Sequence, residues 1–171
     1  MLKKENILIG RTEINLKVQQ IARVINEDYR GKEVLFIGVL KGAVVFLADL
    51  IRFIEIPAEI DFIAVSSYGD STRTSGVVRI IKDLDRSIEG LDIVVVEDIV
   101  DTGLTLQFIA NNLKQRLPRS IRIVTLLDKP EKRRIDIEAD YRGFIIPDYF
   151  VVGYGLDHNE KYRQLPDIYF I

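Results

Sequence analysis

At 171 residues, 47% of them apolar, the chain has the size and hydrophobic content of one domain with a real core. Its 24 lysines and arginines nearly cancel its 26 aspartates and glutamates, so no field of one sign argues for a nucleic-acid or membrane surface. The absence of cysteine excludes disulfides, thiolate metal sites and a cysteine nucleophile, and suits a reducing compartment. MLKKENILIG is too short and polar for a secretory signal, and the apolar run GAVVFLADLI breaks at Asp49, far below the roughly 20 residues of a membrane span. The expectation is a soluble cytoplasmic protein.

Ile14, Val18, Ile21, Val24 and Ile25 recur at helical spacing after Thr12, a natural N-cap, which predicts an amphipathic helix over residues 12–29. VLFIGVL (34–40) reads as a buried strand, and Lys41-Gly42 turns it into a second helix running to about Phe53. A further strand is expected over 60–67. YGDSTRTSG (68–76) is a polar, turn-forming loop, and VVRIIKDL (77–84) returns from it. LDIVVVED (91–98) is the next strand, followed by a helix that begins near Gly103, buries Ile109, Ala110, Leu113 and Leu117, and stops before Pro118. IRIVTLLD (121–128) makes another strand. Strand–helix–strand steps of this length imply parallel pairing with right-handed crossovers, hence an α/β fold with an open, mostly parallel twisted sheet flanked by helices. The last forty or so residues are aromatic-rich with short strands and two prolines, Pro147 and Pro166. They are expected, with the N-terminal residues, to form a small hood over a core of about 12–130, the whole chain being one domain. No internal repeat or low-complexity tract is visible.

VVVEDIVDTGLTL (94–106) poses the chemical question, because a strand buried on both faces ends in Glu97, Asp98 and Asp101. In a doubly wound sheet, ligands sit outside the carboxyl ends of the strands, where these acids stand. Asp101 to Thr105 then supply a tight turn at a helix N-terminus whose N–H groups and hydroxyls can cradle a phosphate, with Gly103 allowing close approach. Carboxylates beside a phosphate need another duty: sugar hydroxyls, a Mg²⁺ carried by a phosphorylated ligand, or a proton in transit. A sugar phosphate satisfies all three. A plain helix cap would account for Asp101 alone, but not for three acids. GxxxxGK[ST] and GxGxxG are both absent, which removes P-loop enzymes and dinucleotide binders. A receiver-domain reading of Glu97-Asp98 and Lys129-Pro130 fails because only one βαβ step separates them.

These residues resemble the phosphoribosyl-pyrophosphate signature of the type I phosphoribosyltransferases, and specifically the bacterial hypoxanthine (hypoxanthine-guanine) phosphoribosyltransferase family. LKGAVVFLADL, SSYGDSTRTSGVVRI, EDIVDTGLTL, LLDKPEKRR and PDYFVVGYGLDHNEKYRQLP occur in the family's order and spacing over nearly the whole chain. The resemblance implies Mg²⁺-dependent transfer of 5-phosphoribosyl from phosphoribosyl pyrophosphate to hypoxanthine or guanine, giving IMP or GMP and pyrophosphate, through a transition state with oxocarbenium character. It implies that Glu97 and Asp98 engage the ribose hydroxyls directly or through Mg²⁺. Asp101, Thr102, Gly103, Leu104 and Thr105 would wrap the 5-phosphate, and Asp101 would also be the general base. Lys41 and Gly42, read from the residues alone as an ordinary strand-to-helix turn, match a pyrophosphate loop with an unusual cis peptide. Arg163, otherwise a solvated surface group, matches a pyrophosphate ligand.

Asp157 matches a ligand of a second Mg²⁺ beside the purine, and His158, the single histidine, receives no role. Lys129, otherwise a surface lysine in a basic run, matches the donor to the purine 6-oxo group, which would favour oxo over amino purines. Phe150 matches the stacking aromatic and Val151 the residue that reads the ring edge, although Tyr149 to Val152 alone would read as core strand. Ser67 and Tyr68 match the start of a closing loop that would shield the sugar cation from water. Two departures, Leu104 where some relatives carry lysine and Tyr149 where some carry a basic residue, bear on purine preference, expected as hypoxanthine first, guanine second and xanthine third. The competing classes are a phosphoribosyltransferase for another base and a non-catalytic nucleotide- or RNA-binding regulator on the same fold. The family implies a homodimer or homotetramer.

Overall fold

The computed structural model describes residues 4–67 and 78–171. The predicted loop 68–76, Tyr68 included, lies outside the described residues. A short strand, β1 (Ile7–Ile9), leads into helix α1 (Arg11–Asp28), which buries Ile14, Val18, Ile21, Ala22 and Ile25. Val24, expected on that face, is 47% exposed, because it falls one step off the 3.6-residue stripe. The helix also starts earlier than its threonine suggests: the N-cap is Gly10 rather than Thr12, and it has no side-chain cap of its own. The Arg11 amide instead donates to Asp167 Oδ1 at 2.8 Å, a cap supplied from 156 residues away. Local sequence could not reveal that partner.

Strand β2 (Val34–Leu40) is buried almost throughout and feeds α2 (Val44–Leu50), which a 3₁₀ turn extends through Ile51–Phe53. Next come β3 (Ala58–Ser67), β4 (Val78–Lys82) and β5 (Asp92–Val100). Helix α3 (Leu104–Lys114) buries Leu106, Ile109, Ala110 and Leu113. Leu117, expected with them, lies past the helix end with φ 56° and is 68% exposed. β6 (Ser120–Asp128), β7 (Tyr141–Ile145), β8 (Val151–Val152) and β9 (Ile168–Phe170) complete the chain.

The large sheet runs β4-β3-β2-β5-β6-β7, parallel except where β4 returns antiparallel along β3. α1 and α2 pack on one face around Phe36, Phe46 and Val94, and α3 packs on the other around Ile37, Val95 and Ile109. Phe46 is wholly buried, and truncating such a side chain to alanine costs about 3–5 kcal/mol. β1, β9 and β8 form a separate antiparallel sheet. The segment expected in the hood is therefore divided: β7, inside 131–171, extends the large sheet beside β6 instead. Its Tyr141 hydroxyl donates to Asp28 at 2.7 Å, joining that edge to α1. Among the described residues no helix is long and apolar enough to cross a membrane.

Candidate active site

Parallel pairing sends β2, β5 and β6 out of the sheet at the same edge, so their carboxyl ends and following turns form one crevice. β5 carries Val94, Val95 and Val96 with no exposed surface and then Glu97, Asp98 and Ile99 half-buried, because the strand continues to Val100 while its side chains reach the rim. Burial, reinforced by the neighbouring Asp98 charge, holds Glu97 well above the usual glutamate range. Burial pushes Asp98 up to about 6, against the hydrogen bond its Oδ1 accepts from the Ile99 amide at 2.8 Å and the pull of Arg163. Glu97 Oε2 and Asp101 Oδ1 are buried and have no partner among the described residues. Buried polar atoms are normally satisfied, so these carboxylates are shaped for something outside the chain.

After β5, Gly103 takes φ 84°, a left-handed conformation that a side chain would strain, and opens α3. The first amides of a helix have no carbonyl of their own to bond, which leaves this turn electropositive. Glu97, Asp101, Thr102, Gly103 and Thr105 line a cavity of about 110 Å³ there. Leu104 does not line it, and its side chain is 36% exposed. A second cavity of about 510 Å³ is lined by Asp98, Asp101, Lys129, Phe150, Val151 and Asp157, among others. The two cavities share Asp101 and Ile99.

Lys129 is 5% exposed, its ammonium donating to the Tyr149 carbonyl and standing 3.7 Å from Asp148. Asp148 pairs more closely with Lys132, at 2.7 Å. Val151 is buried as β8 begins, whereas Tyr149 and Phe150 are 47% and 54% exposed and not core strand. The Phe150 ring meets the edge of His158 at 5.2 Å, which gives that histidine a packing contact beside the cavity. Asp157 Oδ1 pairs with Arg163 at 2.8 Å while its Oδ2 accepts from the Glu160 amide.

The Leu40–Lys41 peptide is cis, and a carbon added to Gly42 would lie 1.7 Å from Asp98 Oδ2, so this turn packs directly on the acidic crest. Lys41 is exposed and bonded to Glu160 at 3.1 Å. Arg163 donates to the Gly155 carbonyl at 2.8 Å and keeps a buried, unpartnered Nε.

A family model described as the phosphoribosyl transferase domain matches residues 8–159. The chain belongs to this family of phosphoribosyltransferases. It is 54% identical over 164 residues to the hypoxanthine-guanine phosphoribosyltransferase of Bacillus subtilis, covering 96% of this chain and 91% of that one. The hypoxanthine-guanine phosphoribosyltransferase of Mycobacterium avium is 50% identical over 167 residues, 94% of this chain and 82% of the other. A crystal structure of a hypoxanthine-guanine phosphoribosyltransferase from Bacillus anthracis superimposes with a TM-score of 0.94 at 47% identity, covering 100% of this chain and 99% of that one.

Most of the residues singled out by sequence thus converge in the phosphoribosyltransferase crevice: the β5 acids and following turn, Lys129, Phe150, Val151 and Asp157 around two joined cavities, with Gly42 against Asp98. Ser67 ends β3 opposite Val78. Arg163 pairs with Asp157 and Lys41 with Glu160, and neither lines either cavity. Among the described residues no group of three or more histidines or acids could hold a metal by itself. Two half-buried carboxylates short of a counter-charge suit instead a divalent cation that arrives with its own oxygen ligands. Sequence reasoning missed Asp148 and Lys132 at the pocket mouth, and Arg133 and Asp128 behind the phosphate turn.

Proposed function

We propose that this chain transfers 5-phosphoribosyl from phosphoribosyl pyrophosphate to hypoxanthine, with guanine second, releasing IMP or GMP and pyrophosphate. One observation carries the reading: the unpartnered Asp101 carboxylate stands where the cavity of Lys129 and Phe150 meets the phosphate turn. A purine in the larger cavity and a 5-phosphate on the turn bring the anomeric carbon and the purine imidazole nitrogen together beside Asp101. Asp101 accepts the imidazole proton as the base becomes a nucleophile, a task suited to a carboxylate held by no hydrogen bond of its own. Thr102, Gly103, Leu104 and Thr105 bind the phosphate, Leu104 through its amide alone. Lys129 keeps donors to spare beyond the Tyr149 carbonyl and gives one to the 6-oxo oxygen; a 6-amino group would meet it donor to donor. Phe150 stacks on the ring and the Val151 backbone reads its edge.

Glu97 and Asp98 take the ribose hydroxyls, and Lys41, Gly42 and Arg163 receive the pyrophosphate. Mg²⁺, held by Glu97, Asp98 and Asp157 together with substrate oxygens, would neutralise phosphate charge and orient the leaving group. The chain acts as one phosphoribosyltransferase domain, in the cytoplasm, as a homodimer or homotetramer. The hypoxanthine-guanine phosphoribosyltransferase names of relatives near 50% identity support the substrate class. The test incubates the protein with Mg²⁺, phosphoribosyl pyrophosphate and each nucleobase in turn. Nucleotide from hypoxanthine and guanine is expected; product from adenine or uracil alone would overturn the purine assignments, and light scattering checks the assembly.

A further inference from the structure

The Asp101 carboxylate has no hydrogen-bond partner among the described residues, so its aim is set by its main chain. That main chain is gripped from outside the crevice. Arg133 Nη1 donates to the Asp101 carbonyl at 2.8 Å and the Arg134 amide donates to the Thr102 carbonyl at 3.0 Å. A carbon added to Gly103 would meet Ile137 at 2.7 Å, Ile135 at 3.1 Å and the Arg133 side chain at 3.2 Å, so the strap 133–137 lies flat on the turn. The other arm of Arg133 binds Asp128 Oδ1, a carboxylate 1% exposed at the end of β6, whose Oδ2 accepts from Arg142 at 2.9 Å. Arg133 lines neither cavity and touches no reacting atom.

We propose that Arg133 is a positioning residue: its two-armed guanidinium, anchored on Asp128, fixes the Asp101 carbonyl and thereby the direction of the Asp101 carboxylate. A guanidinium suits this because its nitrogens form a rigid planar fork that spans two acceptors, whereas a lysine offers one nitrogen. The anchor also ties the phosphate turn to the purine side, since the residue after Asp128 is Lys129, whose amide donates to the Val100 carbonyl at 2.9 Å.

The inference rests on Asp101 being the proton acceptor proposed above. The experiment compares Arg133→Lys, Arg142→Lys and Asp101→Asn by steady-state kinetics with hypoxanthine and phosphoribosyl pyrophosphate, alongside thermal melting. Arg133→Lys keeps a cation opposite Asp128 and loses the fork, so kcat is expected to fall by about tenfold or more while both KM values hold, as misplacing a reacting group does. Arg142→Lys touches the same carboxylate but not the turn and is expected to keep parental kcat. Arg133→Ala with added guanidinium is a second arm, with partial recovery of kcat expected. Parental kcat in Arg133→Lys beside an inactive Asp101→Asn overturns the positioning role alone. Equal kcat losses in both arginine variants, tracking their melting, reduce Arg133 to fold support and overturn it too. Parental turnover in Asp101→Asn instead removes the base assignment, and the inference falls with it.

Discussion

Neighbouring strands β5 and β6 both carry carboxylates towards their carboxyl ends, and the chain treats them in opposite ways. Asp128, closing β6, is held by Arg133 and Arg142 and has its charge fully answered. Glu97 and Asp98, near the end of β5, are held up in pKa by burial, and Glu97 Oε2 finds no partner among the described residues. A carboxylate that serves the fold is paired within the chain; one that serves a ligand keeps its unfavourable environment until the ligand arrives. Carboxylates towards the carboxyl ends of adjacent strands thus report two duties, separated by their partners.

The largest effect is expected from an open acid. Asp101→Asn should lower kcat by about a thousandfold with little change in phosphoribosyl-pyrophosphate affinity, measured by rapid quench and calorimetry. Equal losses in both would remove the proton-transfer role. On the closed side, Asp128→Ala leaves two guanidiniums facing a void, and urea unfolding should register a loss of about 4 kcal/mol. A neutral result there would erase the contrast.

The pH dependence follows from Asp98, whose folded pKa stands raised to about 6 from its ordinary 3.8. A raised carboxyl pKa means stability fully present below about 3.8 and lost as pH climbs through about 6, at most about 3 kcal/mol. Denaturant unfolding in EDTA from pH 4 to 7 should show that slope, and Asp98→Asn should reduce it to what Glu97, also raised by burial, contributes. Smallest is Glu97→Gln, which removes an unpaired buried charge: a gain of about 1 kcal/mol in melting experiments, with a raised KM for phosphoribosyl pyrophosphate. A loss of stability would mean that Glu97 is paired in solution.

What could be read beforehand divides along the same line. Strand and helix order follows from periodicity, and the acids after Val96 announce a crevice because a parallel sheet puts ligands at that edge. The turn at Gly103 was visible because only a few residue types permit it. Asp128 and Arg133 were not, since one read as the last residue of a strand and the other as part of a basic run; only the fold faces them. Asp167 capping α1 and β7 joining the large sheet are of the same kind, contacts made by distant parts of the chain. Without the family resemblance Lys129 could equally be a surface lysine, yet it is 5% exposed, with its ammonium bonded to the Tyr149 carbonyl.

Behind Asp98 lies Gly42, and behind Gly42 lies Gly155, whose added carbon would sit 2.2 Å from the Gly42 carbonyl oxygen. Three stretches distant in sequence are interleaved there with no thickness to spare. Neither glycine has a side chain to offer the reaction, yet alanine at either would shove the crest aside. A saturation screen scored on growth would therefore rank two positions without side chains beside the reacting ones.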